Sequence, residues 1–190
     1  MLTVILAGGQ SRRMGQDKVT LPFEGKSLLQ VLIDRYRALG EVAVCVDRPG
    51  RFSFQGALEL VDTFPGQGPL NGIVSGFRQT DAEELLLTAA DIPFGDAALA
   101  RRLQALRGTA DACVIRFAGG TEPLFAVYGR SCLSVAETNL DAGERSMQAL
   151  LRSATVQYLS EVIFPGFALN RTLFNMNTPE DYKLVIREGV

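Results

Sequence analysis

The 190-residue chain contains no histidine and only three cysteines. Without histidine, Ser–His and Cys–His nucleophile pairs, imidazole acid–base catalysis and ordinary zinc catalysis are all excluded. A metal ion would have to be a hard one held by oxygen, such as Mg²⁺. Cys45, Cys113 and Cys132 are odd in number, widely spaced and free of any C-x-x-C pattern, so a reducing cytosol is the simpler reading than a disulfide framework. Charge of one sign is also missing: 19 basic against 21 acidic side chains leave −2. That argues against a general nucleic-acid coat while leaving room for one local basic pocket. No segment approaches the roughly 18–20 apolar residues of a membrane span. The apolar N-terminal stretch is too short for a signal peptide and has no basic residues before it. The expectation is a soluble, cytoplasmic protein with neither nucleic acid nor membrane as partner.

Hydrophobic residues at 47% and charged residues at 21% fit an ordinary globular chain, and one domain over 1–190 is the default. Strand and helix patterns alternate. Leu2–Ala7 reads as a buried parallel strand, and Val42–Val46 and Leu58–Val61 as two more. Between the first two, Ser27 opens a helix with Gln30 as its capping-box partner; Leu28, Leu29, Leu32, Tyr36 and Leu39 share a face, and Gly40 stops it. Pro69 then starts a helix carrying Leu70, Ile73, Val74 and Phe77, with Gly68, Gly72 and Gly76 at every fourth position. Those glycines either admit a ligand near the helix start or let the helix pack close to a sheet. Leu85–Ala90 is a strand ended by Asp91 and Pro93, followed by a helix through Leu99, Leu103 and Leu106. Ala112–Phe117 and Leu124–Tyr128 read as strands paired antiparallel across Ala118–Gly120, and helices follow near Ser131–Leu140 and Ser146–Arg152. Finally Thr178 caps a helix with Pro179 at its first position and Asp181 three beyond the cap. The pattern predicts one α/β domain, a three-layer fold around a mostly parallel central sheet.

The segment "LAGGQSRRMGQDK", Leu6–Lys18, concentrates glycine and positive charge directly behind the first strand. Ligands of open parallel sheets sit beyond the carboxyl ends of the strands. Gly8 and Gly9 let backbone N–H groups approach a ligand, and Arg12, Arg13 and Lys18 supply cations for a polyphosphate. A βα turn with solvated basic residues is the plainer alternative. Neither G-x-G-x-x-G nor G-x-x-x-x-G-K-[ST] fits, which weighs against a dinucleotide-dependent dehydrogenase and a phosphate-loop NTPase. Asp91 ends an apolar strand, where one carboxylate plus substrate phosphates could hold Mg²⁺; alternatively it caps a turn. Asp62 ends the Leu58–Val61 run in an equivalent place.

These blocks resemble the MobA-like molybdenum cofactor guanylyltransferases of the nucleotidyltransferase superfamily. The similarity runs in order through "LAGGQSRRMGQDK", "DTFPGQGPLNGI", "AADIPF", "EPLFAVY" and "NMNTPEDY", nearly the whole chain. It implies a Rossmann-like nucleotidyltransferase fold. The implied reaction joins GMP from GTP to the terminal phosphate of molybdopterin, releasing pyrophosphate, with Mg²⁺ (or Mn²⁺) as cofactor. It also implies that Leu6, Ala7, Gly8, Lys18 and Asp62 contact the nucleotide, that Asp91 holds the metal, and that Asn177 lies on the pterin side. Arg145, in "DAGERS", is a further candidate for the pterin phosphate. Transient contact with cofactor-biosynthesis or acceptor proteins is a further expectation. The chain departs from the family at Cys45, where many relatives carry a nucleotide-contacting asparagine; a thiol cannot supply both the donor and the acceptor of an amide. A CTP-dependent relative or another NTP transferase of this fold therefore stays open, as does a nucleotide-binding scaffold or sensor. Gly8-Gly9 favours the guanine branch, because cytidine-using relatives tend to show "LAAG".

Overall fold

The computed structural model describes residues 1–8, 17–64 and 66–188. The first strand, β1 (Leu2–Leu6), lies in the interior of a seven-stranded sheet, third in its order. A two-residue hairpin follows, β2 (Pro22–Phe23) and β3 (Lys26–Ser27), whose linking residues Glu24 and Gly25 both have positive φ, at 47° and 77°. That is the backbone of a type I′ turn. Ser27 caps α1 (Leu28–Tyr36) by accepting from the Gln30 amide at 3.3 Å. The Gln30 side chain exchanges bonds instead with the backbone N–H and C=O of Gln55, at 2.9 and 3.1 Å, so it pins the following loop.

Strands β4 (Val42–Val46) and β5 (Leu58–Val61) come next, then α2 (Leu70–Arg78), β6 (Glu84–Ala89) and α3 (Ala97–Leu106). Asp96 caps α3 through the N–H groups of Ala98 and Leu99. The second half contributes β7 (Ala112–Phe117), β8 (Gly120–Gly129), α4 (Cys132–Asp141), α5 (Met147–Ser153), β9 (Val156–Ser160), α6 (Leu169–Thr172) and α7 (Pro179–Glu188). Thr178 and Asp181 form a reciprocal capping box at α7, with bonds of 2.8 and 3.1 Å. The order across the sheet is β5-β4-β1-β6-β8-β7-β9, and β8 alone runs against the rest. The expected mostly parallel, three-layer architecture is therefore present. Strand β9 and the short α6 have no counterpart in the sequence reading, because Val156–Ser160 exposes most of its residues on an edge and lacks a continuous apolar run.

Burial on both faces explains the apolar strands. Along β1, Leu2 and Val4 join the cluster under α2, α4 and α5, while Ile5 joins the cluster under α1 and α3. The two helical glycines of α2 set how closely that helix seats. A Cβ on Gly72 would overlap the Leu6 side chain, and one on Gly76 would stand 3.0 Å from Leu85 and 3.1 Å from Val4. Close packing is thus what Gly72 and Gly76 provide. Gly68 is different: its φ of +75° belongs to the turn entering α2, and it lines the cleft described below. The chain leaves β1 for α1 on one face and β5 for α2 on the other, which opens a crevice at the carboxyl edge of the sheet.

Candidate active site

The crevice encloses a cavity of about 770 Å³. Its floor is sheet edge rather than loop, because the ladder continues beyond the strands. Ala7 N donates to Cys45 O at 3.1 Å, Ala90 N to Leu6 O at 3.1 Å, and Asp62 N to Val46 O at 2.8 Å. Leu6, Ala7, Gly8, Lys18, Asp62 and Asp91, all anticipated from the sequence, line this one cavity. Gly9, Arg12 and Arg13 lie outside the described residues.

Asp91 follows β6 and is steered by what comes after it. Arg35 donates to the carbonyls of Pro93 and Gly95, at 2.5 and 3.3 Å, and fixes that turn. Gly95 is obligatory there, because a Cβ would fall on the buried Tyr36 hydroxyl. The Asp91 Oδ2 stands 3.8 Å from the Lys18 ammonium. Its Oδ1 is buried and has no hydrogen-bond partner among the described residues. Burial pushes the Asp91 carboxyl above the ordinary aspartate range, and Lys18 draws it partly back. Lys18 is held on its other side by the last segment before α7: its Nζ donates to Met176 O at 2.5 Å and to Asn177 Oδ1 at 3.0 Å. Met176 N in turn donates to Asp91 O at 2.8 Å. Asn177 therefore sits beside the predicted lysine and aspartate.

The opposite wall comes from β4 and β5. Cys45 is buried and its thiol donates to Asp62 Oδ1 at 3.0 Å. Burial, chiefly, and the neighbouring carboxylate push the thiol far above its usual range. Burial likewise raises the half-buried Asp62 carboxyl, against the lowering effect of the Cys45 bond. A Cβ on Gly8 would stand 3.9 Å from Asp62 Oδ2, so glycine there leaves the space in front of the carboxylate open. Asp47 and Arg51 complete this wall, with Arg51 bridging Asp47 at 2.9 Å and Asp17 at 3.0 Å. Arg145 is exposed; its backbone packs against Gly68, at the rim where α2 begins.

Arg51 and Glu122 are among the charged residues of this edge that sequence reasoning missed. Arg51 follows a polar loop and carries no local signal. Glu122 enters the edge because β8 runs backwards, so the start of that strand meets the end of β6. Glu122 is 9% exposed and accepts from Leu124 N at 2.9 Å and from Asn175 Nδ2 at 3.0 Å. Burial pushes its carboxyl up, those two bonds pull it down, and the nearby Asp91 adds to the rise.

Among the described residues no group of three or more His, Cys, Asp or Glu side chains could cage a metal ion. One carboxylate with an unpartnered oxygen is the donor set on offer, which suits Mg²⁺, an ion that keeps waters and takes further ligands from phosphates. No helix among the described residues is long and apolar enough to cross a membrane.

Comparison with known proteins agrees with this geometry. The sequence pattern of the MobA-like NTP transferase domain matches residues 3–160. The chain is 31% identical over 188 residues to a protein of Carboxydothermus hydrogenoformans named "Probable molybdenum cofactor guanylyltransferase", covering 98% of this chain and 95% of that one. Its fold matches the crystal structure of molybdopterin-guanine dinucleotide biosynthesis protein A from Archaeoglobus fulgidus with a TM-score of 0.85 at 24% identity, over 99% and 98% of the two chains. It also matches a Mycobacterium tuberculosis protein solved as a manganese complex, with a TM-score of 0.69 at 16% identity, over 98% and 97%. A matching family pattern across most of the chain, a relative aligned nearly end to end and a crevice lined by the anticipated residues agree: the chain belongs to the MobA-like NTP transferase family.

Proposed function

We propose that this protein transfers GMP from GTP to the terminal phosphate of molybdopterin, releasing pyrophosphate and forming the guanine dinucleotide. The observation that carries the reading is the meeting of Lys18 and Asp91 at 3.8 Å in a cavity whose opposite wall is Asp62. The acceptor phosphate is already an anionic nucleophile, so the absence of histidine is no obstacle. What the protein must do is bring anions together. Each close pair of unit charges repels by about 4 kcal/mol at an effective dielectric near 20. Positioning and charge neutralisation therefore carry the catalysis.

Lys18 is assigned to the phosphates at the reacting end, joined by Arg12 and Arg13 from the basic segment. Asp91 would hold Mg²⁺, with Mn²⁺ as the alternative, through the carboxylate whose Oδ1 lacks a partner among the described residues. When bound, the ion would screen the α-phosphate and the departing pyrophosphate. Leu6, Ala7, Gly8 and Gly9 present backbone to the nucleotide. Asp62 is assigned to the base. An ionised carboxylate accepts only, which matches the N1–H and amino donors of guanine and opposes the N3 acceptor of cytosine. The Cys45 thiol orients that carboxylate by donating to Oδ1. It thus replaces a direct amide contact to the base with support for the neighbouring acid. Asn177, beside Lys18, and Arg145, at the rim, are assigned to the incoming pterin and its phosphate.

The deciding experiment is pyrophosphate release in a mixture of purified protein, GTP, molybdopterin and Mg²⁺. Release that requires all three additions is expected, and release without molybdopterin, or none at all, would overturn the reading. Melting shifts with GTP, CTP, ATP and UTP report the base preference separately, since a bound ligand stabilises by RT ln(1 + [L]/Kd). The expected order puts GTP first.

A further inference from the structure

Among the described residues Glu122 is the only charged side chain that is buried. No cation pairs with it among the described residues, and Asp91 lies close enough to oppose its ionisation. A buried, unpaired carboxylate is unfavourable unless its oxygens are well satisfied. Here two donors converge on it from different parts of the chain: the Leu124 N–H on Oε1 and the Asn175 amide on Oε2. Only a group with two accepting oxygens satisfies both; glutamine would turn an NH₂ toward one of them. Leu124 lines the nucleotide cavity. Asn175 begins the three residues that hold the reacting pair, since Met176 bonds to the Asp91 backbone and to Lys18, and Asn177 bonds to Lys18.

We infer that Glu122 is a positioning residue for the transfer: it fixes the Asn175–Asn177 segment, and through that segment the Lys18 ammonium, against Asp91. The carboxylate does not touch the reacting atoms. It anchors one end of a strap whose other end is the capped start of α7, where Asp181 accepts from Asn177 N at 2.7 Å. Loosening the anchored end would let Lys18 drift from the phosphates, and misplacement on the order of 1 Å costs about 10²-fold in rate. The inference rests on the guanylyl transfer proposed above.

The test uses Glu122→Gln, Asn175→Asp and the double variant. The single Glu122→Gln change sets an NH₂ against a donor and should lower kcat by about 10- to 100-fold, with KM for GTP within about threefold. Circular dichroism should stay near that of the parent, with the melting temperature lowered by no more than several degrees. The double variant reverses the polarity of the contact. The amide oxygen introduced at position 122 still accepts from the Leu124 N–H, while its NH₂ donates to the carboxylate introduced at position 175. At least about a third of the lost log-rate should return, which ties the loss to this contact rather than to damage elsewhere. Recovery is partial because the Asn175 bond to Leu173 O, at 3.3 Å, is lost.

An independent readout is the acylation rate of the Lys18 amine by mass spectrometry, normalised to Lys26. It should rise several-fold in Glu122→Gln and fall back in the double variant. Should Glu122→Gln not fold, Asn175→Ala removes the same link without a buried donor clash and should show the same kcat loss and the same exposure of Lys18. Parental kcat and parental Lys18 labelling in a folded single variant would overturn the inference. So would a kcat loss that the double variant does not reverse. If the unmutated protein transfers no GMP, the proposed reaction falls, whereas the labelling series still decides whether Glu122 holds Lys18.

Discussion

The two walls of the cleft are built in different ways. The wall from β4 and β5 is assembled between neighbouring parallel strands: Cys45 meets Asp62 at 3.0 Å, and Arg51 bridges Asp47 and Asp17. The wall around Asp91 is sewn across the whole chain, since Lys18 reaches Met176 and Asn177, 158 and 159 residues away. The first wall is rigid by virtue of the sheet, and a change there should alter what binds. The second depends on contacts that cross the fold, and a change there should alter what reacts.

Asp91→Asn tests this contrast with the largest expected effect. Loss of about 10²- to 10³-fold in kcat is expected, at nearly unchanged GTP affinity, as pyrophosphate release and calorimetry will read. The same variant should melt no lower than the parent at neutral pH. The folded-state pKa of Asp91 is raised by burial, so the stability this carboxyl contributes in acid is lost as pH rises through that value. An amide never incurs that loss, and the difference in melting temperature between variant and parent should shrink toward acid. A smaller effect, at the floor between the walls, is expected from Gly72→Ala. The added methyl collides with Leu6, which lines the cavity. Overpacking of about 1–3 kcal/mol should lower the melting temperature by about 2–4 °C for each kcal/mol, and GTP binding should weaken before kcat changes.

Asp62→Asn comes next. It should reduce the preference for GTP over CTP about tenfold, the value of one good hydrogen bond to a charged group, while leaving kcat with saturating GTP nearly intact. In the parent the same preference should fade as pH falls through the raised pKa of Asp62, because the protonated acid presents a donor where guanine needs an acceptor. Nucleotide titrations across pH will show it. A kcat collapse in Asp62→Asn, or a base-preference change in Asp91→Asn, would erase the division between the walls. The smallest effect belongs to Lys26→Ala, which breaks an exposed pair with Asp34, neither of which lines the cavity; a stability change within about 0.5 kcal/mol is expected by denaturant titration.

The same contrast explains what the sequence made legible. Buried parallel strands declare themselves as apolar runs, and a glycine or carboxylate at the end of such a run falls at the ligand edge. Gly8, Asp62 and Asp91 could therefore be placed from pattern, and Leu6 and Ala7 from the family resemblance, and all five share one cavity. The N-cap of α7 was legible for the same reason, since Thr178 and Asp181 are neighbours in sequence. Glu122 was not. Its meaning comes from β8 being reversed and from Asn175, 53 residues away, arriving beside it. Nothing local marks a glutamate at the beginning of a strand as a neighbour of the cleft. Gln30 shows the same limit in miniature: its spacing from Ser27 suggested a reciprocal cap, but a distant backbone at Gln55 claims its side chain.

Strand β8 also carries a consequence for how such a protein could change its substrate. Because it is reversed, the hairpin joining it to β7, at residues 118–119, protrudes from the same edge that holds the cleft. Lengthening that hairpin would add new chain at the edge of the cleft, with no strand register disturbed and the wall proposed to read the base left as it is. Acceptor choice and nucleotide choice are thereby separable by insertion, and a family built on this scaffold could diversify one while inheriting the other.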